Sequence, residues 1–341
     1  RTDSKEEVVD RLQRPIRDLR ISLTDRCNLR CDYCMPAEIF GKDYPHLPKQ
    51  ALLSFEEIVR LVGVFCELGV TKVRLTGGEP LLRRNVEELV GMVREAFPSL
   101  DLALTTNAML LKQKAAALRE AGLDRVNVSI DAINPEVFRK MSGGQGKVES
   151  VLEGVEAALS CGLRVKWNMV VCRGINVEEI VPMLEKAWSL GVQLRFIEFM
   201  DVGKYNAWDR SQVYPMSEII DQISQWYAIE PLPEDPEFPA VAKLFSVNQH
   251  QFVFGVISSV SQPFCSGCTR ARISADGQLF KCLFASEGHP LKPLIRNNKE
   301  DEPLKSELVR LWQGRDDRYS DLRAQMREAG YQPAEMSYLG G

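Results

Sequence analysis

Apolar positions along this chain alternate between two spacings. Short runs dense in β-branched and apolar residues are each followed by longer runs whose apolar positions recur at helical spacing. "LRISLT" (19–24) reads as a strand. "SFEEIVRLVGVFCELG" (54–69) reads as a helix, with Ser54 and Glu57 as a capping box and a glycine stop. The pattern repeats with strands at 70–76, 101–106, 125–130, 164–171 and 192–200. Helices are predicted at 85–97, 110–121, 135–141, 147–160 and 177–190. Six strand–helix units with short connections predict a parallel sheet with right-handed crossovers.

An open doubly wound sheet and a curved partial barrel both fit that alternation. Polar residues favour the barrel. Thr24, Gly77, Gly78, Thr105, Thr106, Ser129, Asp131, Lys166, Asn168, Glu198 and Met200 lie late in strands or just after them. In a barrel those ends converge on one mouth, where loops build a site. Six units rather than eight leave one side open. "PLPEDPEFP" (231–239) reads as a linker, after which the alternation fades into short strands at 242–282 and a helical stretch at 303–329. The expected organisation is an N-terminal extension (1–14), a partial barrel (15–230) and a C-terminal module (231–341) that closes the open side.

Composition narrows the function classes. With 45% apolar residues among 341, the chain can bury a large core. A formal net charge of -4 gives no reason to expect nucleic-acid binding, and no apolar run is long enough to span a membrane. "RTDSKEEVVDRLQRP" lacks the apolar core of a signal peptide, which points to the cytoplasm by default, although a processed chain would look the same.

Nine cysteines fall into two groups and three singles. Cys66, Cys161 and Cys172 read as small buried hydrophobes. Cys27, Cys31 and Cys34 follow the first strand with the spacing C-x3-C-x2-C. Structural zinc needs four ligands, and the nearest histidine, His46, is twelve residues on. A cubane iron–sulfur cluster held by three thiolates keeps one iron open for a small molecule. "LTGGEPLLR" (75–83) ends the second strand; its glycines read either as a turn or as backbone bared for close approach, with Glu79 as an acceptor.

Cys265, Cys268 and Cys282 form the second group. Zinc is a rival here, because His289 follows Cys282 with six residues between. Arg270 and Arg272 alternate on an adjoining strand, as a clamp for phosphate or carboxylate or as solvated surface arginines. Further cations recur at the expected mouth: Arg20, Lys72, Arg74, Lys166 and Arg195. Charges on strands otherwise buried call for a polyanionic ligand or for ion-pair partners.

The C-x3-C-x2-C loop resembles that of radical S-adenosylmethionine (SAM) enzymes. Farther along, "RISLTDRCNLRCDYCMP", "VRLTGGEPLLR", "TTNAMLL", "VNVSIDA", "VKWNMVV", "RFIEFMDVG", "CSGCTRARISADGQLFKCLF" and a final "GG" occur in order. Together they resemble the GTP 3′,8-cyclase family of molybdenum-cofactor biosynthesis, from about Pro15 to Gly341. The resemblance implies an incomplete (βα)6 TIM-like barrel with a second-cluster module. It implies two [4Fe-4S] clusters, on Cys27, Cys31 and Cys34 and on Cys265, Cys268 and Cys282, each with an open iron. A 5′-deoxyadenosyl radical from SAM would abstract the 3′ hydrogen of GTP, and the ribose radical would then attack C8 of guanine, giving 3′,8-cyclo-7,8-dihydroguanosine triphosphate.

By the same resemblance Tyr33, Gly78, Ser129 and Met200 fall on SAM-contacting positions. Arg20, Arg74, Thr105, Lys166, Arg270, Ala271 and Arg272 fall on GTP-contacting positions. No side chain is singled out as catalytic. A reductant and a downstream cyclic pyranopterin synthase are the implied partners, with a homodimer among the assemblies left open. Gly340-Gly341 would reach into the site rather than fray. Ala108 stands where the family has glycine, so the turn after the third strand is expected to differ slightly. A different radical SAM enzyme, such as a peptide-modifying maturase, and a non-enzymatic iron–sulfur or zinc protein are the competing readings.

Overall fold

The computed structural model describes residues 7–234 and 240–340. Strands β1 (Asp18–Ser22), β2 (Lys72–Thr76), β3 (Asp101–Thr106), β4 (Arg125–Ser129), β5 (Arg164–Val171) and β6 (Gln193–Glu198) pair in chain order, every pair parallel. Between them run α1 (Phe55–Glu67), α2 (Val86–Ala96), α3 (Leu111–Glu120), α4 (Pro135–Met141), α5 (Val148–Ser160) and α6 (Ile180–Leu190). The Ser54–Glu57 capping box is formed in both directions, at 3.1 Å and 2.8 Å. The sixth helix is shorter than its apolar pattern suggested, because Val177–Glu179 winds into a tighter turn first.

One face of each strand feeds the core. In β5, Val165, Trp167, Met169 and Val171 are buried, while Lys166, Asn168 and Val170 alternate with them at intermediate exposure. Leu19, Ile21, Val73, Leu75, Val126 and Phe196 join the same core with the helices. The opposite, inner face of the sheet is polar. This division departs from ordinary parallel sheets, which are apolar on both faces.

The C-terminal part follows α7 (Met216–Ser224), a helix not anticipated from sequence, which starts after Pro215. It comprises β7 (Ile229–Pro231), β8 (Lys243–Val247), β9 (Phe252–Ile257), β10 (Arg270–Ile273), β11 (Gln278–Phe280) and β12 (His289–Pro290). Helices α8 (Lys292–Asn297), α9 (Glu302–Gln313), α10 (Tyr319–Glu328) and α11 (Met336–Leu339) complete it. The stretch read as one helix at 303–329 is two, parted at Gly314. Part of the expected linker is β7, and residues 235–239 lie outside those described.

These strands do not form a separate sheet. β10 pairs parallel with β1 and β9 pairs parallel with β6, so the module extends the six-stranded sheet at both edges. The sheet remains open, and chain rather than hydrogen-bonded strand bridges the mouth. Glu335 accepts from Lys204 N at 2.8 Å beside β6, and five residues on Gly340 lies against β1 and β2.

Ala108 takes up a left-handed backbone conformation that glycine adopts more readily. Its φ is +61° and its side chain is fully buried. A left-handed alanine costs about 1–2 kcal/mol, which the packing around it must offset. Ser54→Ala is expected to lower unfolding free energy by about 1 kcal/mol by removing the α1 cap. Denaturant titration checks this, and metal content should be unchanged because α1 lies on the outer layer.

Candidate active site

The first three-cysteine group occupies the loop after β1. Backbone N–H groups of Cys34 and Met35 both donate to the Cys31 carbonyl, at 3.0 Å and 2.8 Å, folding Cys31–Met35 into a tight turn. Arg30 staples the loop, donating to the carbonyls of Phe40, Cys27 and Leu29 at 2.7–2.8 Å. The Tyr33 hydroxyl donates to Asp131 Oδ2 at 2.7 Å, and Asp131 Oδ1 accepts from Val170 N at 2.8 Å. Tyr33 thus ties the loop to the ends of β4 and β5.

The Gly77-Gly78 segment is approached closely by the protein itself. Gly78 N donates to Thr24 O at 2.7 Å and Glu79 N to Arg26 O at 2.8 Å. A Cβ on Gly78 would lie 2.2 Å from the Arg26 carbonyl oxygen. The glycine is therefore needed for the cysteine loop to cross β2. Glu79 is fully engaged inside the protein. It accepts from Thr106 Oγ1 at 2.6 Å, Asn107 N at 2.8 Å and Leu81 N at 3.1 Å, and burial pushes its carboxyl up to about 7. Ser129 ends β4 opposite Asn168. Met200 packs with Phe284 and Tyr319, on the side of the second cysteine group.

Register assembles the inner face. Arg20 lies opposite Arg74 on β2 and opposite Arg272 on β10, while Asp18 lies opposite Lys72 and Arg270. Thr105 meets Asn127, and Asn127 meets Lys166. Six of the seven positions expected to contact GTP therefore share one face. Ala271 is the exception, because its side chain is fully buried in the core on the opposite face of β10. Only its main chain can approach a ligand.

The electrostatics of this face are those of an anion site. Burial and mutual repulsion hold Arg20 and Arg272 well below the usual guanidinium value and bring Arg74 and Arg195 down to about 10. Burial, with Arg195, Arg125, Lys72 and Arg74, brings Lys166 down to about 8. Asp18 is lowered too, which for a carboxyl favours the charged form: burial alone would raise it, but the surrounding cations outweigh burial. Arg20 Nε, Arg74 Nε and Thr105 Oγ1 are buried without a hydrogen-bond partner. Buried donors are normally satisfied, so three on one face mark a place for ligand oxygens.

Sequence patterns did not reveal two members of this face. Asn127 is fully buried; its Oδ1 accepts from Arg195 Nη2 at 3.1 Å and its Nδ2 has no partner. A polar residue inside "RVNVSI" was the available signal. Asp18 was signalled by its alternation with Arg20. The C-terminal segment enters the same place: Gly340 O accepts from Arg272 Nη1, and a Cβ on Gly340 would lie 2.3 Å from Thr76 Oγ1. Gly341 lies outside the described residues.

The second group lies at the start of β10 and the end of β11. Arg315 Nη2 donates to Cys268 Sγ at 3.3 Å, and Phe284 N to Cys282 Sγ at 3.5 Å. His289, the rival zinc ligand, sits on edge strand β12 opposite Leu279, with Lys281 and Arg310 among its charged neighbours. None of the nine cysteines forms a disulfide. Burial pushes Cys27 up to about 11 and Cys34 and Cys282 up to about 12. Such thiols become thiolates only against added positive charge, which iron supplies. Among the described residues, no three cysteine, histidine or carboxylate side chains converge on one ion position. Cluster thiolates bind different irons and need no such convergence, and three thiols on one short loop or flanking one hairpin are the donor chemistry that an iron–sulfur cluster takes.

Comparison with known proteins agrees with this chemistry. The Radical SAM superfamily model matches residues 21–187, and the Molybdenum Cofactor Synthesis C model matches 192–321. The solved structure of Streptococcus suis SuiB bound to S-adenosylmethionine aligns with a TM-score of 0.62 at 15% identity, covering 91% of this chain and 68% of that one. SuiB bound to its precursor peptide SuiA aligns at 0.61 and 14% identity, covering 90% and 66%. At those identities the likeness carries the fold alone. Fold and site together define a radical SAM enzyme.

The family is narrower than that class. The chain is 48% identical to the GTP 3′,8-cyclase of Staphylococcus haemolyticus over 338 residues, covering 98% of this chain and 99% of the relative. It is 48% identical to that of Staphylococcus aureus strain JH9 over 339 residues, with the same coverage. The chain belongs to the GTP 3′,8-cyclase family.

Gly78→Ala is expected to expel the cysteine loop from β2, since the new methyl group would overlap a backbone carbonyl. Iron and sulfide analysis with EPR should then show loss of the first cluster and retention of the second. Full retention of both would contradict the crossing described here.

Proposed function

We infer that this chain is a radical SAM GTP 3′,8-cyclase, the lyase-type enzyme that converts GTP to (8S)-3′,8-cyclo-7,8-dihydroguanosine 5′-triphosphate in molybdenum-cofactor biosynthesis. Its cofactors are SAM and [4Fe-4S] clusters. When bound, they supply a 5′-deoxyadenosyl radical that takes the 3′ hydrogen of GTP before C3′ bonds to C8. The observation that carries the reading is the cationic inner face, with its unpartnered buried donors, lying between two three-cysteine groups.

The resemblance assigns the residue roles, and their placement supports them. Cys27, Cys31 and Cys34 would hold the first cluster, and Cys265, Cys268 and Cys282 the second. Tyr33, Gly78 and Ser129 would line the SAM end of the mouth, with Tyr33 kept in place by Asp131, and Met200 would reach SAM from the side of Phe284 and Tyr319. Arg20, Arg74, Lys166, Arg270 and Arg272 would bind the triphosphate of GTP, and Thr105 Oγ1 would offer a neutral hydrogen bond. Ala271 would contribute its main chain. The chain's part is to fix the polyanion, set the nucleoside against the radical source and keep water out. A reductant, a downstream cyclic pyranopterin synthase, a cytoplasmic location and a homodimer belong to the same reading. In its support, no helix among the described residues is long and apolar enough to cross a membrane.

Anaerobic incubation of the reconstituted protein with SAM, dithionite and GTP tests the function. The expected result is 5′-deoxyadenosine release that depends on GTP, together with conversion of the nucleotide. Release that ignores GTP and leaves it unaltered would sink the reading. Arg74→Ala and Arg272→Ala should each weaken GTP binding by on the order of tenfold to a hundredfold, with both clusters assembled.

The pH dependence has a definite sign. Lys166 is lowered from 10.5 to about 8, so the free site loses its ammonium as pH rises through that value. GTP affinity should therefore fall above pH ~8, with proton uptake on binding between about 8 and 10. Lys166→Arg should remove that fall; calorimetry in two buffers measures both.

A further inference from the structure

Beneath the second cysteine group lies a buried charge cluster that the proposed chemistry does not use. Asp10 Oδ2, from the N-terminal segment, accepts from Arg14 Nε at 2.7 Å and from Arg315 Nη1 at 3.1 Å. The side chains of Asp10, Arg14 and Arg315 are 0%, 2% and 1% exposed. Each arginine then grips one cysteine of the C-x2-C pair. Arg14 Nη1 donates to the Cys265 carbonyl at 2.8 Å, and Arg315 Nη1 to the Cys268 carbonyl at 2.9 Å. Trp312 braces both: its Nε1 donates to Arg14 O at 2.9 Å, and the Arg315 guanidinium lies 4.5 Å over its ring.

Two buried guanidiniums share one hydrogen-bonded carboxylate, with Asp317 as a longer-range counter-charge to Arg315. A buried guanidinium is costly unless something faces it. Arg315 faces Asp317, which is 3.9 Å from its Nε and beyond hydrogen-bond reach, and the Cys268 sulfur, which is 3.3 Å from its Nη2. The sulfur is the closer partner and the one in hydrogen-bond contact. We propose that Asp10, Arg14 and Arg315 frame the second-cluster loop. Arg315 is a positioning residue that raises the reduction potential of that cluster through its bond to the Cys268 sulfur. This rests on the reading that Cys265, Cys268 and Cys282 hold a four-iron cluster.

The physical argument is charge. Reduction adds an electron to the cluster, and a cation hydrogen-bonded to a ligand sulfur stabilises the more negative state. Arg270 also acts on Cys268 electrostatically, but it stands on the inner face, opposite Asp18, where a substrate anion can draw on it. Arg315 is buried, and its hydrogen bonds go to Asp10 and Cys268. Its influence therefore holds with or without substrate.

The test uses the full chain with Cys27, Cys31 and Cys34 all replaced by alanine, so that only the second cluster is observed. Arg315→Gln and Arg315→Lys are placed on that parent, reconstituted anaerobically, and followed by EPR-monitored redox titration with iron and sulfide analysis. Arg315→Gln should retain iron and sulfide and shift the midpoint potential to more negative values. Arg315→Lys, which keeps the charge but loses the fork, should shift it less in the same direction. Parent-like potentials and g-values in Arg315→Gln would overturn the inference. Should that variant fail to fold or lose its iron, Arg315→Met, a second neutral replacement, decides, and a parent-like potential there overturns the inference equally. A parent without iron and sulfide would instead overturn the second-cluster reading, and this inference with it.

Discussion

A row of like charges on the inner face of a parallel sheet is the constraint to which the rest of the structure answers. Arg20, Arg74 and Arg272 stand on adjacent strands in register, with Arg270 and Lys72 one step along and Lys166 across the barrel. Left alone, these groups repel one another and lose hydration. Asp18 relieves some of that repulsion, and a bound polyanion would relieve much more. What keeps them together without a ligand is the other face of the same strands. Leu19, Ile21, Val73, Leu75, Trp167 and Phe196 anchor the sheet in a continuous apolar layer under the helices. The core thus holds a self-repelling site in place. That is how fixed cations come to be oriented before a charged substrate arrives.

The two cysteine groups sit at opposite ends of this arrangement and are held by different means. The first depends on backbone crossing backbone at Gly78, with Arg30 and the Tyr33–Asp131 bond fixing the loop. The second depends on buried ion pairs, with Arg14 and Arg315 reaching in from chain segments on either side of the barrel sequence. A loop bound through close main-chain packing has little room to adjust. A loop framed by guanidiniums carries, besides position, a charge that acts on whatever its sulfurs bind.

The C-terminal module meets the open side of the barrel through the edges of the sheet. β9 and β10 lengthen the sheet at its two edges, and residues 335–340 reach from Lys204 to β1, β2 and β10. Tyr338 is pinned by Asp276 at 2.8 Å and Gln278 at 2.8 Å, which delivers Gly340 to Arg272, Ser22 and Thr76. Only a residue without a side chain fits there. The terminal segment therefore becomes part of the mouth that it bridges.

The sequence by itself determined the six strand–helix units, the inward alternation of Arg20, Lys72, Arg74 and Lys166, and both cysteine triplets. Each of these is written in residues a few positions apart, where period and spacing are visible. Short-range pattern also misjudged what short-range pattern cannot contain. It read part of β7 as linker, because that strand exists only through pairing with β8. It offered Glu79 as a ligand acceptor, although donors from β3 occupy it. Only the tertiary structure put Asp10, Arg14 and Arg315 in one buried cluster, brought Gly340 to Arg272, and turned Ala271 away from its neighbouring arginines. Those outcomes turn on strand register and on contacts between residues up to about three hundred positions apart. Local sequence carries no trace of such partners, because the energy of a buried charge or a close glycine contact is set by what the folded chain brings to it.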